Sequence, residues 1–222
     1  MVMTAERVWI GNGTRPVCGV RLQPEAALGT AVVVHGYGGC KEEQLGLAWR
    51  IADAGFAALA IDHRGHGENK GLLDEGVLED VEAAIALARG GGRVVAIGHS
   101  SGGRMALVSS ADFAIGISPA PATESGAETR RMLANLRGYR VRETRPEINF
   151  ENLRSLPAWR PDPERQLVLY GSRDIPEIIA GARLAGENGV RVVELAGALH
   201  TDIFLLEETF RIVVAQLRTW LC

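Results

Sequence analysis

The sequence predicts an α/β fold in which a mostly parallel sheet carries helices on both faces. Short apolar runs without polar alternation, such as Thr30–His35, are typical of strands that are buried on both faces. Between them lie longer segments with apolar residues at helical spacing, such as Leu78–Arg89. The chain has 222 residues, of which 46% are hydrophobic, and this is enough to bury the core of one such domain.

The predicted elements alternate along the chain. The first is a hairpin of Glu6–Ile10 and Val17–Leu22 around Gly11-Asn12-Gly13, whose residues readily adopt positive φ. Six further strands are predicted, at Thr30–His35, Phe56–Asp62, Arg93–Gly98, Phe113–Ser118, Gln166–Gly171 and Val190–Leu195. Helices are predicted at Lys41–Ala54, Leu78–Arg89, Ser101–Ser110, Pro176–Asn188 and Ile203–Leu221. This alternation favours a mostly parallel, twisted sheet with crossover helices.

One segment, residues 119–165, interrupts this order. It is rich in proline and contains a single helical pattern, near Ala127–Leu136. We interpret it as a short lid rather than a second domain, so residues 1–222 are expected to form one domain. Between Arg130 and Arg145 it holds six arginines and one acid, Glu143. This excess indicates either a solvated surface or attraction for an anionic substrate.

Charge and cysteine content restrict the partners that we expect. A net charge of -3 gives no reason to expect nucleic acid or a membrane surface. No apolar run approaches the ~18 residues of a membrane span, and no secretory signal pattern opens the chain. Cys18, Cys40 and Cys222 are far apart and form no CxxC pair. We therefore expect a reduced, cytoplasmic protein without disulfides, either a monomer or a homodimer.

The pentapeptide Gly98–Gly102 reads GHSSG and matches the pattern GxSxG. It lies between a predicted strand and a predicted helix, which is the context that this motif requires. A sharp turn there lifts the Ser100 hydroxyl above the sheet edge and strains the serine backbone. The glycine spacing selects Ser100 rather than Ser101, whose N–H lies in the first helical turn and faces a developing oxyanion. The alternative is an ordinary helix N-cap with loop glycines.

A serine nucleophile needs a base, and the base needs an orienting acid. Among the histidines, His200 lies between the last strand and the last helix, at the same sheet edge as Ser100. Asp174 directly follows the preceding strand at that edge and is the expected acid. Glu177 is a weaker candidate. Asp202 is too close in sequence to face the His200 ring and is expected to cap the last helix.

Four blocks, in this order, resemble the α/β-hydrolase superfamily, and its small esterase and acyl-hydrolase members in particular. They are HGYGG at 35–39, DHRGHG at 62–67, GHSSGG at 98–103, and Asp174 with His200. The resemblance runs from the third strand to the last helix. It implies the α/β-hydrolase fold and a catalytic triad, which is Ser100, Asp174 and His200.

The resemblance also assigns the HGYGG loop to an oxyanion hole. The backbone N–H groups of Tyr37 and Ser101 would form that hole, with a substrate next to Gly36, Gly38 and His99. Two features depart from the family pattern. The acid loop Asp174-Ile175-Pro176 is shorter than in many members, and the 119–165 segment is shorter than most caps.

A metal site built from His35, His63 and His66 is an alternative interpretation of the first two blocks. We favour glycine turns there and expect no metal.

These patterns together predict a serine hydrolase that cleaves a small carboxylic ester through an acyl-enzyme, without a cofactor. An acyl thioester is the alternative substrate, because the arginines between Arg130 and Arg145 suit an anionic carrier. A C–C or amide hydrolase, or a non-catalytic ligand-binding member of the fold, are further alternatives, since this fold hosts many chemistries.

Overall fold

The computed structural model describes residues 2–11, 16–121, 126–145 and 147–222. The turn predicted around Gly11-Asn12-Gly13 falls mostly outside these residues. Eight strands form one sheet: β1 Met3–Ile10, β2 Val17–Pro24, β3 Thr30–Val34, β4 Ala57–Asp62, β5 Val94–His99, β6 Phe113–Ile117, β7 Gln166–Arg173 and β8 Arg191–Leu199. Their spatial order is β1-β2-β4-β3-β5-β6-β7-β8.

The sheet is mixed but mostly parallel. Strand β2 runs antiparallel to both β1 and β4, whereas every other neighbouring pair is parallel. The mostly parallel sheet predicted from the sequence is therefore confirmed. Because parallel strands end at a common edge, the loops that follow β3, β5, β6, β7 and β8 meet there.

Among the described residues, seven α-helices accompany the sheet: α1 Leu45–Asp53, α2 Val77–Ala88, α3 Ser101–Val108, α4 Ala127–Arg137, α5 Ile148–Ser155, α6 Pro176–Glu187 and α7 Glu207–Leu221. Strand β3 shows how they divide between the faces. Val33 belongs to an apolar cluster with residues of α1 and α7, whereas Val32 and Val34 belong to a second cluster with residues of α2 and α3. All five β3 residues are buried, as the unbroken apolar run predicts.

Two helix predictions need correction. The segment Lys41–Ala54 begins with a 3₁₀ turn, Lys41–Gln44, before α1. The segment predicted as one helix from Ile203 is interrupted, because Leu206 is extended (φ -77, ψ 138) between a 3₁₀ turn and α7.

Asp202 does not cap a helix with its side chain as predicted. It precedes the 3₁₀ turn Ile203–Leu205, and no cap hydrogen bond from its side chain is formed there. Its Oδ1 instead accepts the Leu199 N–H at 2.8 Å.

The 119–165 segment contains two helices where one was predicted. Helix α4 matches the predicted pattern closely, but α5 was missed. Half of α5 is buried, but two of the buried residues are Asn149 and Asn152, which leaves Phe150 and Leu153 as a short apolar stripe. None of the helices in the described part of the chain is both long enough and apolar enough to cross a membrane.

Candidate active site

Ser100 lies at the turn between β5 and α3 with a left-handed backbone (φ 56, ψ -120). This conformation is costly for a residue with a Cβ, and neighbouring hydrogen bonds hold it. The Ser100 N–H donates to the Ile117 carbonyl at 3.0 Å, and its carbonyl accepts the N–H groups of Arg104 and Ala120. The strain expected at the motif serine is therefore present in the structure.

The glycines on either side of Ser100 allow the turn to close. A Cβ on Gly98 would lie 2.2 Å from the Gly102 carbonyl oxygen. A Cβ on Gly102 would lie 2.4 Å from the His35 carbonyl oxygen. Both positions are backbone contacts that cannot move aside, so the motif needs glycine at each for a steric reason.

A hydrogen-bond chain connects the three residues that the sequence singles out as a triad. His200 Nε2 lies 3.1 Å from Ser100 Oγ, and His200 Nδ1 lies 2.9 Å from Asp174 Oδ1. The three residues come from the ends of β5, β7 and β8. Glu177, the weaker candidate acid, instead lies in α6 and accepts the Gly126 N–H at 3.2 Å.

Asp174 is buried and holds four hydrogen bonds. Its Oδ1 accepts from His200 and from the Ile175 N–H at 2.7 Å, while Oδ2 accepts the Ser118 hydroxyl and the Gly171 N–H. Burial alone raises the pKa of the Asp174 carboxyl, but these hydrogen bonds and the charge of His200 offset it and keep that pKa below its usual value. The carboxylate is therefore ionised at neutral pH.

Sequence reasoning missed Ser118. It is fully buried just beyond β6, with a left-handed backbone (φ 47), and its N–H donates to the Leu169 carbonyl at 2.7 Å. Its hydroxyl reaches Asp174 because β6 and β7 are neighbours in the sheet. The sequence contains no signal for this contact beyond the position of Ser118 at a strand end.

His99 contacts His200 and also lines the cleft beside Ser100, so its contact with a substrate stays a prediction. Its Nε2 lies 2.8 Å from the His200 carbonyl oxygen, and its ring packs against the rings of His200 and Phe204. Burial, and secondarily the charge of His200, lower the pKa of His99 to about 3. In a neutral His99 with its proton on Nε2, this N–H donates a hydrogen bond to the His200 carbonyl and so holds the His200 backbone in place.

The HGYGG loop passes directly over Ser100. A Cβ on Gly36 would lie 2.9 Å from the Ser100 Cβ, so this approach requires glycine. Tyr37 is 7% exposed, and its hydroxyl donates to Glu143 Oε1 in the lid segment at 2.6 Å. Ser101 N–H lies in the first turn of α3, where backbone amides lack intrahelical acceptors. Both amides expected in an oxyanion hole thus belong to segments that border Ser100.

Gly38 contacts His66, and Arg137 of the 119–165 segment, and is not part of the pocket walls beside Ser100. Its N–H donates to His66 Nε2 at 2.9 Å, and a Cβ on it would lie 2.4 Å from the Arg137 Cβ. Its φ of 70° also favours glycine. The expected contact between Gly38 and a substrate stays a prediction, and the contacts present in the structure are those with His66 and Arg137.

His35, His63 and His66 form a buried cluster behind that loop. The rings of His35 and His63 stack with centroids 4.2 Å apart. Both nitrogens of His66 are engaged, because Nδ1 lies 3.0 Å from the Arg64 carbonyl oxygen and Nε2 accepts the Gly38 N–H. The ligand atoms of the three lie close enough for a metal ion. Only His35 and His63 have a free Nε2, however, so two protein ligands remain.

Two apolar pockets meet at Ser100. One is a cleft of about 80 Å³ whose wall includes Gly36, His99, Met132 and Phe204. The second has a volume of about 20 Å³ and is lined by Ser101, by Ala120 and Pro121 in the loop after β6, and by helices α4, α5 and α6. Tyr37, Ser100, Leu133 and His200 belong to the walls of both. A small apolar group therefore fits on either side of the serine hydroxyl.

Arginines of the 119–165 segment fasten it to the body of the protein. Arg137 and Arg140 both donate to Glu43 Oε1, at 3.4 and 2.6 Å. Arg142 donates to the carbonyl groups of three residues in the loop after β4, including that of Gly67 at 2.9 Å. Arg145 pairs with Glu151. Four of the six arginines are thus engaged in contacts within the protein.

Comparison with known proteins identifies the family of the chain. Residues 31–208 match the model of the alpha/beta hydrolase family. No curated protein sequence matches the chain significantly. Among solved structures, a predicted CIB-like hydrolase from Thermoplasma acidophilum is 20% identical with a TM-score of 0.69, and the alignment covers 98% of this chain and 100% of that one.

Two further solved structures are similarly close in fold. The esterase from Thermogutta terrifontis with bound malate is 18% identical, with a TM-score of 0.70 and coverage of 98% of this chain and 100% of that one. Est1E from Butyrivibrio proteoclasticus, with bound ferulic acid, is 17% identical, with a TM-score of 0.70 and coverage of 96% and 97%. The family match extends over most of the sequence, and the chain belongs to the alpha/beta hydrolase family.

Proposed function

We propose that the protein is a serine esterase that hydrolyses small carboxylic esters through an acyl-enzyme on Ser100. The observation that carries the proposal is the unbroken hydrogen-bond chain from Asp174 through His200 to Ser100 Oγ. A hydroxyl within 3.1 Å of a histidine nitrogen, with that histidine oriented by a carboxylate, is the arrangement that activates serine for attack.

In the first step, His200 Nε2 takes the hydroxyl proton while Ser100 Oγ attacks the ester carbonyl. The carbonyl oxygen becomes an oxyanion, to which the Tyr37 and Ser101 amides donate. The C–O bond to the alcohol then breaks, and the leaving alkoxide takes its proton from His200. Asp174 keeps its charge throughout and stabilises the imidazolium that forms between the two transfers.

In the second step, water attacks the acyl-enzyme carbonyl and gives its proton to His200. The Ser100 Oγ–acyl bond breaks, Oγ regains the proton, and the carboxylic acid leaves. The two pockets beside Ser100 suit this reaction, one for the acyl chain and one for the alcohol. Their small volumes of about 80 and 20 Å³ favour short groups.

We favour a small ester as the substrate over a thioester whose acyl group is attached to a large anionic carrier. The reason to consider such a carrier was the arginine excess between Arg130 and Arg145. Three of those side chains, Arg137, Arg140 and Arg142, hold the lid segment to the rest of the protein, and Arg145 pairs with Glu151 inside the segment. The esterases among the structural neighbours agree with an ester substrate, and we propose residues 119–165 as the lid of a single domain.

The test compares the purified protein with S100A and S101A on p-nitrophenyl acetate, butyrate and octanoate, and on butyryl thioesters. Ser101 is the matched control because its buried Oγ has no hydrogen-bond partner and its backbone N–H survives the change. We expect S100A to lose more than about 10³-fold in kcat and S101A to retain most activity. Full activity of S100A would overturn the proposal.

A further inference from the structure

Arg104 is a buried cation without a counter-ion in the described part of the chain. It lies in α3, one turn after Ser100, and is only 3% exposed. Its Nη2 donates to the Pro157 carbonyl at 3.0 Å, while its Nε is buried without any hydrogen-bond partner. Burial is the sole cause that lowers the pKa of Arg104, with no carboxylate to offset it.

The other buried cations show how this protein ordinarily accommodates a charge. Lys41 Nζ lies 2.7 Å from Asp62 and 2.9 Å from Glu68. Arg64 contacts the carboxylates of Asp74 and Asp80 at 2.6 and 2.8 Å. An unpaired buried charge costs stability, and an apolar side chain of similar length would avoid that cost. Arg104 is thus a buried cation for which the described residues supply no carboxylate, and a ligand could supply one.

Arg104 lines a groove of about 510 Å³ between α3, α6 and the segment before β7. The remaining wall is predominantly apolar and includes Leu107, Pro119, Trp159 and Leu184. Leu184 is 59% exposed, so the groove is accessible from solvent. A large apolar space with one buried guanidinium on its wall suits a ligand with an apolar body and one anionic group.

The groove adjoins the pocket at Ser100. Ala120, Pro121 and Glu177 line both spaces, and the Ala120 N–H donates to the Ser100 carbonyl at 2.9 Å. Glu177 is the acid on the shared wall. It forms no ion pair with Arg104, and its Oε1 is held by the Gly126 N–H. A chain that leaves the serine through this pocket reaches the groove along Ala120 and Pro121.

We propose that this groove binds the acyl part of the substrate and that Arg104 pairs with a carboxylate at the far end of the acyl chain. The substrates favoured by this site are therefore monoesters of dicarboxylic acids. The inference rests on the esterase function proposed above. It adds Arg104 as a specificity-determining residue outside the triad. Its guanidinium would bind a planar carboxylate with two N–H groups.

The kinetic test uses pairs of substrates that differ only in the distal carboxylate. Monomethyl succinate, adipate and suberate are compared with methyl butanoate, hexanoate and octanoate, with acid release followed by titration. R104M keeps an unbranched side chain in place of the arginine stem and removes the charged guanidinium. R211M is the matched control, because Arg211 lies on α7 and its side chain is 71% exposed.

We expect the native protein to prefer at least one monoester over its neutral partner. R104M should lose about 10- to 100-fold in kcat/KM on that monoester, the range typical of a hydrogen bond to a charged group. It should keep its activity on the neutral ester, and R211M should match the native protein on both. Equal effects of R104M on charged and neutral substrates would overturn the inference while leaving the esterase intact.

A binding arm separates this inference from the proposed function. Calorimetric titration of suberate into S100A and into the S100A/R104M double variant measures the affinity of the groove for a dicarboxylate in the absence of hydrolysis. Binding to S100A that is lost in the double variant supports the site even if no ester is hydrolysed. The same affinity in both proteins, or none in either, contradicts it. Melting temperature in the absence of ligand checks that R104M folds, and it should be at least that of the native protein.

Discussion

Nδ1 of His200 lies 2.9 Å from Oδ1 of Asp174, although the two residues are separated by a helix and a strand. This contact fixes which nitrogen of His200 carries the proton, and so leaves Nε2 as the acceptor that faces Ser100. The pKa of Asp174 is held below its usual value by that contact and three further hydrogen bonds, against the effect of burial.

Asp174→Asn is expected to lower kcat by about 10³–10⁴-fold with little change in KM, because the amide stabilises the wrong tautomer of His200. Steady-state kinetics on p-nitrophenyl butyrate measure this. Asp202→Asn, two residues from His200 and bonded to Leu199 instead, is the control and should retain activity. Similar losses in both variants would contradict the role assigned to Asp174.

Removal of the Ser118 hydroxyl should lower kcat without raising KM. Ser118→Ala takes one donor from Asp174 Oδ2, and a hydrogen bond to a charged group is worth about 1.5–3 kcal/mol, so we expect roughly a tenfold loss in kcat. Ser118→Gly removes the same hydroxyl but suits φ 47, so it should be about 1 kcal/mol more stable than Ser118→Ala. Native kcat in both variants would refute a positioning role.

The turn at Ser100 should not tolerate a methyl group at Gly98. We expect Gly98→Ala to lower the free energy of unfolding by more than about 3 kcal/mol, because its Cβ would lie 2.2 Å from the Gly102 carbonyl oxygen. Gly46→Ala in α1 is the control, since its nearest neighbour would be at an ordinary 3.5 Å. That change should stabilise by about 0.5–1 kcal/mol. Urea denaturation measures both.

The lid tether at Glu43 should govern access to the cleft. Glu43→Gln weakens the contacts with Arg137 and Arg140, so we expect faster tryptic cleavage within 127–140 and a changed KM with little effect on kcat. Glu207→Gln breaks an exposed pair with Arg50 far from the lid and serves as control. Identical proteolysis rates for the two variants would argue against the tether.

Stability should fall steeply as the pH drops below the ordinary histidine pKa of 6.5. The pKa values of four histidines are lowered, those of His35, His63, His66 and His99. Burial is the main cause, and repulsion from a neighbouring histidine is the second. Below pH 6.5 the unfolded chain binds protons at these positions and the folded protein does not, so protonation favours unfolding. Each histidine contributes up to about 1.4 kcal/mol per pH unit.

Urea unfolding at pH 7.5, 6.5 and 5.5 measures this dependence. The free energy of unfolding should be highest at pH 7.5 and should decline between pH 6.5 and 5.5. His35→Gln, which removes one buried imidazole, should reduce the slope. A free energy that is constant over this range is incompatible with four neutral buried histidines.

The mostly parallel sheet is predictable from the sequence. Because parallel strands end on the same side, the sequence also predicts that Ser100, Asp174 and His200 lie at one edge. It did not predict Ser118 at Asp174, because that contact depends on β6 and β7 being neighbours, and strand order is not encoded locally. The sequence does not predict helix α5 because two of its buried residues are asparagines, Asn149 and Asn152, so its apolar pattern is weak. The helix cap predicted at Asp202 is absent because its carboxylate accepts the N–H of Leu199 instead.

The partner of an arginine is equally invisible in the sequence. The six arginines between Arg130 and Arg145 suggest an anionic ligand, yet three of them contact the body of the protein and a fourth, Arg145, pairs with Glu151. Arg104, which attracted no attention in the sequence, is the one that is buried without a carboxylate among the described residues. Only the three-dimensional neighbours distinguish these cases, because charge density along the chain does not report burial.

The central claim is that Ser100 is the nucleophile, and covalent trapping tests it most directly. The protein is treated with a fluorophosphonate, its intact mass is measured, and the modified peptide is sequenced by tandem mass spectrometry. The account predicts a single adduct, located on Ser100, which is absent from S100A and retained in S101A. An adduct on another residue, or equal labelling of S100A, would contradict it.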